Sequence, residues 1–66
     1  MTPADIREAR RKLGLTQDQL AAVMGLRGKQ AISEWERGVK SPDGQSVRLI
    51  QAYLAGHRPR DWPKEE

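Results

Sequence analysis

The 66-residue chain has no cysteine and no phenylalanine, and one tyrosine and two tryptophans are its only aromatics. Without cysteine, neither a disulfide framework nor a thiolate metal site can add stability. So few aromatics leave the core to Leu, Ile, Val, Met and Ala. Long apolar runs are missing as well. Charge-free stretches such as residues 19–26 fall far short of the ~20 apolar residues of a membrane-spanning helix. Asp5 and Glu8 near the start, with no apolar run, do not read as a secretory signal. The single histidine, His57, and the lack of a carboxylate cluster with metal-ligand spacing argue against an enzyme and against any metal or cofactor. What remains is one small soluble module, expected in the cytoplasm. A chain of this size buries only about 60% of the surface it exposes when unfolded, so it lies near the lower limit for independent folding.

Charge is unevenly spread. Residues 1–40 carry eight basic and five acidic side chains, which accounts for the whole net charge of +3, whereas residues 41–66 are neutral. A basic first half favours a polyanionic partner, although so small a surplus is weak support taken alone.

Helix signals occur four times, and no segment alternates like a strand. Thr2-Pro3-Ala4-Asp5 reads as an N-cap, a proline at the first helical position and a carboxylate in the first turn. Ile6, Arg10 and Leu13 follow at helical spacing, and Gly14 stops the helix. Thr16 with Gln19 forms a capping box for a second helix, which carries Leu20, Val23 and Met24 inward and ends at Gly25. A third helix is expected from about Lys29 to Arg37, and a fourth, opened by Ser41-Pro42-Asp43, to about Ala55. These four or five short helices predict a compact all-α bundle over residues 1–56, with 57–66 as a tail. So few residues separate the second and third helices that a steep crossing is expected, the geometry of a helix-turn-helix over about 16–38.

With Ile32 inward, Trp35, Glu36 and Ala31 fall on or beside the buried side of the third helix. Gln30, Ser33, Glu34 and Arg37 cluster opposite, with Lys29 at the flank. Such groups pair with base edges: Gln with adenine, Arg or Lys with guanine, Glu with the cytosine amino group. An ordinary solvated face looks the same, and this helix alone favours that reading.

The run from Leu13 to Pro42 changes the balance. Its Leu15-Thr16-Gln17 opening, Leu20-Ala21, turn Gly25, Ile32-Ser33 and closing Trp35-Glu36-Arg37-Gly38 resemble the XRE/Cro-type helix-turn-helix family of phage-repressor-like regulators. The resemblance covers about residues 3–55. It implies a lambda-repressor-like fold whose recognition helix, about 28–37, enters the major groove of double-stranded DNA. By that resemblance Lys29, Gln30, Ser33 and Glu34 read bases, while Gln17, Arg37 and Lys40 touch phosphates. Gln17 suits the role because helix N-termini offer free N–H groups to anions. It also implies a bacterial or phage-encoded repressor acting as a homodimer on an inverted-repeat operator.

One departure concerns the turn. Six residues rather than the family's usual five separate Gly25 from Ile32, and Gly28 is expected to take up an unusual backbone angle. Arg27 becomes a phosphate contact, a rim charge or neither. Glu34, a carboxylate facing DNA, reads cytosine, pairs with Lys29, Gln30 or Arg37, or points to water.

Arg10 lies on the apolar stripe of the first helix, where an unpaired charge is expensive. Glu36, on the inner side of the third helix, is its expected partner in a partly buried structural ion pair, which the resemblance also implies. In the fourth helix Val47, Ile50 and Leu54 are expected in the core. Leu49 and Tyr53 either complete it or meet a second chain, and Trp62 packs back on them, crosses to a partner or stays loose. His57 reads as a solvated residue. The competing function is an antitoxin or accessory protein that uses the same fold for a protein partner.

Overall fold

The computed structural model describes residues 1–63, so the last three residues of the expected tail lie outside it. Its four helices are α1 (Pro3–Leu13), α2 (Gln17–Val23), α3 (Gln30–Arg37) and α4 (Gly44–Leu54), with no strand among the described residues. Side-chain caps fix three of the starts. Thr2 Oγ1 accepts from the Asp5 N–H at 3.1 Å, and Asp5 Oδ2 accepts from the Thr2 N–H at 3.0 Å. Thr16 and Gln19 repeat this reciprocal box at 3.1 and 2.9 Å. For α4 the cap is Asp43, which accepts from the Ser46 N–H at 2.9 Å. Each cap contributes roughly 1 kcal/mol, a substantial share for so small a fold.

The core draws on every helix: Ile6, Leu20, Ile32 and Ile50 are fully buried, with Trp35 and Tyr53 beside them. α1 packs against α3 and α4, and α3 also packs on α2. The apolar stripe of α4 differs from the one expected. Ile50 and Tyr53 face inward, Leu49 and Val47 are half-buried, and Leu54 is 43% exposed. Leu54 occupies the last helical position, where α4 borders the outer side of α1. Met24, too, is only half-buried, because α2 ends before it.

Tyr53 belongs to the monomer interior. Its hydroxyl donates to the Val23 carbonyl at 3.2 Å, tying α4 to the end of α2, and burial pushes its pKa above the ordinary tyrosine value. Residues 57–63 then fold back over the end of α4. Trp62 meets the Tyr53 ring edge-on at 5.3 Å, and the Arg58 guanidinium lies 4.2 Å from the Trp62 ring centre. Arg58 Nη1 donates to the carbonyls of Tyr53 at 2.7 Å and His57 at 2.9 Å. His57 is exposed but stacks on Tyr53, with ring centres 6.2 Å apart.

Between α2 and α3 the left-handed residue is Gly25, at φ +77°, and not Gly28, whose φ is not positive. The chain reverses at the end of α2, so the unusual angle falls there and the extra residue is absorbed in ordinary backbone. A Cβ at Gly28 would meet nothing within 4 Å. Gly25→Ala should therefore destabilise the fold by roughly 1–2 kcal/mol, the left-handed cost for an L-residue. Gly28→Ala should leave stability unchanged or raise it by up to about 1 kcal/mol. Urea denaturation of the two variants checks this contrast.

Candidate nucleic-acid interface

α3 is held from beneath by Ile32, Trp35 and Glu36, all buried. This anchoring turns Gln30 and Arg37 fully outward, with Ser33 and Glu34 half-buried between them. Lys29 at the N-cap, Arg27 in the turn and Lys40 beyond the helix are exposed. Arg27, Gly28, Gln30, Glu34 and Lys40 line one shallow groove along this side. The outward face thus combines an amide, a hydroxyl and four flanking cations with one carboxylate.

That carboxylate is locally paired. Lys40 Nζ lies 4.0 Å from Glu34 Oε1, so its partner is Lys40 and not Lys29, Gln30 or Arg37. The cause is the helix end: Gly38, at φ +77°, closes α3, and the Val39 N–H donates to the Glu34 carbonyl at 2.9 Å. This closure brings Lys40 back beside Glu34. Arg37 Nε instead donates to Ser33 Oγ at 3.2 Å.

Behind the face, Glu36 is the hub. Arg10 grips it with two bonds, Nε to Oε2 at 2.7 Å and Nη2 to Oε1 at 3.1 Å, while Arg10 Nη1 donates to the Leu15 carbonyl at 3.0 Å. Gln17 Nε2 donates to Glu36 Oε1 at 3.3 Å, and Arg7 reaches the Glu36 carbonyl at 3.3 Å. One carboxylate therefore joins α1, the start of α2 and α3. Gln17, expected at a phosphate, has its side-chain nitrogen turned toward this hub, while its main-chain N–H occupies the first position of α2. Arg7 was not singled out from the sequence. Its position three residues before Arg10, on a neighbouring side of α1, was the available signal.

Burial by itself would raise the Glu36 pKa. The hydrogen bonds from Arg10 and Gln17 and the charges of Arg10 and Arg7 outweigh it, holding the carboxyl below its ordinary value of 4.5. The same pairing raises Arg10. Between the folded and unfolded pKa values of Glu36 the unfolded chain binds more protons, so stability falls as pH drops through that window. Stability from this group is complete well above pH 4.5 and is lost on acidification below it. Asp5 and Asp43 are also lowered, by hydrogen bonds from Thr2 and Ser46 respectively, and titrate alongside. Urea midpoints from neutral to acid pH should therefore show a steeper acid loss for the wild type than for E36Q.

α2 and α3 are two short helices joined at the Gly25 turn, the second anchored below and polar above. The helix-turn-helix family model matches residues 6–59, and the chain belongs to that family, the XRE type of DNA-binding regulator. No curated protein and no solved structure matches the chain. Among the described residues no helix is long and apolar enough to cross a membrane.

Proposed function

We propose that the protein is a sequence-specific transcriptional repressor that reads an inverted-repeat operator as a homodimer. The observation that carries this reading is the outward face of α3, where Gln30 and Arg37 are solvent-facing while Ile32, Trp35 and Glu36 fix the helix from below. Lys29, Gln30, Ser33 and Glu34 meet base edges in the major groove, Gln30 suited to adenine and Lys29 to guanine. Arg27, Arg37, Lys40 and the free N–H of Gln17 meet phosphates, which position the protein without specifying sequence. In the operator-bound pair the recognition helices lie ~34–36 Å apart, one turn of duplex. Leu49, half-buried against the monomer's own core, meets the second chain in that pair with its uncovered part, whereas Tyr53 and Trp62 already pack together within one monomer. Occupying promoter DNA would exclude polymerase.

Salt titration of duplex binding tests the reading. The slope of log affinity against log salt should be near −0.9 for each phosphate contacted, and Arg37→Ala or Lys40→Ala should flatten it by about one contact each. A salt-insensitive complex that requires a second protein would instead identify an interaction module.

A further inference from the structure

The side of α1 turned away from α3 carries a polarised strip. At about 100° per residue, Asp5, Glu8 and Lys12 form a row roughly opposite Arg7 and Arg10, the residues that reach Glu36. Leu54, 43% exposed, and Met1, 42% exposed, border that row. Beyond Lys12 it runs into a second groove, lined by Arg58, Arg60 and the half-buried Trp62. The strip thus carries Asp5 and Glu8, with the Met1 ammonium near Asp5, at the amino end of α1, Leu54 between, and the excess cations Lys12, Arg58 and Arg60 over Asp61 at the far end. Among the described residues Glu8, Lys12 and Arg60 make no ion pair within the chain.

A strip with opposite charges at its ends complements itself in an antiparallel arrangement. In a two-fold contact residue i of one copy meets j of the other and j meets i, so each acidic end covers a cationic end. A parallel arrangement would set like charges together, and antiparallel α1 helices also oppose their dipoles favourably. We propose that a second copy of this chain docks here, α1 against α1 in antiparallel register, with the two Leu54 side chains near the centre. Glu36 reaches α1 from α3, while Gln30 and Arg37 are exposed and lie about 100–120° around α3 from it, so the strip and the recognition face are separate surfaces of the molecule. The docked pair therefore leaves both recognition faces uncovered and can hold two stretches of duplex together. The bridging step rests on the DNA reading proposed above, whereas the docking step does not.

Exposed charges and two partly covered apolar side chains make a weak contact that salt screens. It is favoured where local concentration is on the order of millimolar. The test is sedimentation equilibrium of the DNA-free protein up to that range, with circular dichroism confirming that each variant is folded. Wild type should associate, and each of E8K, K12E and L54E should weaken association by about tenfold or more. The E8K/K12E double variant should recover most of the loss. In the second arm, a bead-bound duplex should capture a free labelled duplex through wild type and the double variant. E8K should bind single duplexes without joining them. A monomeric wild type, single variants that associate like wild type, or a double variant without recovery would overturn the docking. Association that follows the expected pattern while no duplex is bound would uphold the docking and remove the DNA reading.

Discussion

Glu36→Ala should cost the domain about 3–5 kcal/mol, the scale for breaking a buried ion pair on one side. The variant leaves the Arg10 guanidinium, 18% exposed in its side chain, without the carboxylate that takes two of its bonds. It also removes the acceptor for Gln17 and the link that orients α3 against α1. Small domains have little reserve, and each kcal/mol lowers the melting temperature by about 4–8 °C at this size. The variant should be largely unfolded at physiological temperature, and Arg10→Ala should behave similarly. Replacing both partners with apolar residues of similar volume, as in R10M/E36L, should restore much of the stability, since no charge is then left unpaired. Chemical denaturation of the four proteins gives the comparison. DNA binding lost in E36A should return in part when a stabilising osmolyte refolds the protein, which marks the role as structural.

Gln30→Ala should do the reverse. Its side chain is exposed and makes no hydrogen bond among the described residues, so its removal should leave stability within about 0.5 kcal/mol. Affinity for the preferred duplex should nevertheless fall by about 1–3 kcal/mol, with the loss confined to one base position. Removing a phosphate contact, as with Arg37→Ala, should weaken all sequences more evenly. Osmolyte should not rescue the Gln30 variant. The two substitutions lie six residues apart on one helix and separate holding the reading face from reading with it.

How much of this was legible in the sequence follows from the range of each interaction. The caps at Thr2 and Thr16 are local, requiring only a residue and its neighbour three positions on, so they could be read directly. The inward set Ile32, Trp35 and Glu36 follows from helical period alone. Arg10 announced its need for a partner because it sits between Ile6 and Leu13 on a buried stripe. The convergence of Arg7 and Gln17 on Glu36 was not legible, since it joins residues 29 and 19 positions apart. On α4, two apolar stripes at helical spacing compete, and only the packing of Tyr53 under Trp62 and against Val23 decides between them. The unusual angle, expected at Gly28, lies at Gly25 for a related reason. Which one turns left-handed depends on where α2 stops, and helix ends are weakly encoded. The fold-back of residues 57–63 rests on Arg58 and Trp62, whose contacts no local pattern specifies.

The central claim is that the outer face of α3 selects a duplex sequence. Enrichment of bound duplexes from a random pool, carried out in parallel for wild type and Q30A, tests it most directly. The wild type should enrich an inverted repeat with half-site centres about 10–10.5 base pairs apart. Q30A should enrich the same repeat with its preference relaxed at one position in each half-site. A pool that stays random for the folded wild type, or a Q30A pool identical to it at every position, would contradict the account.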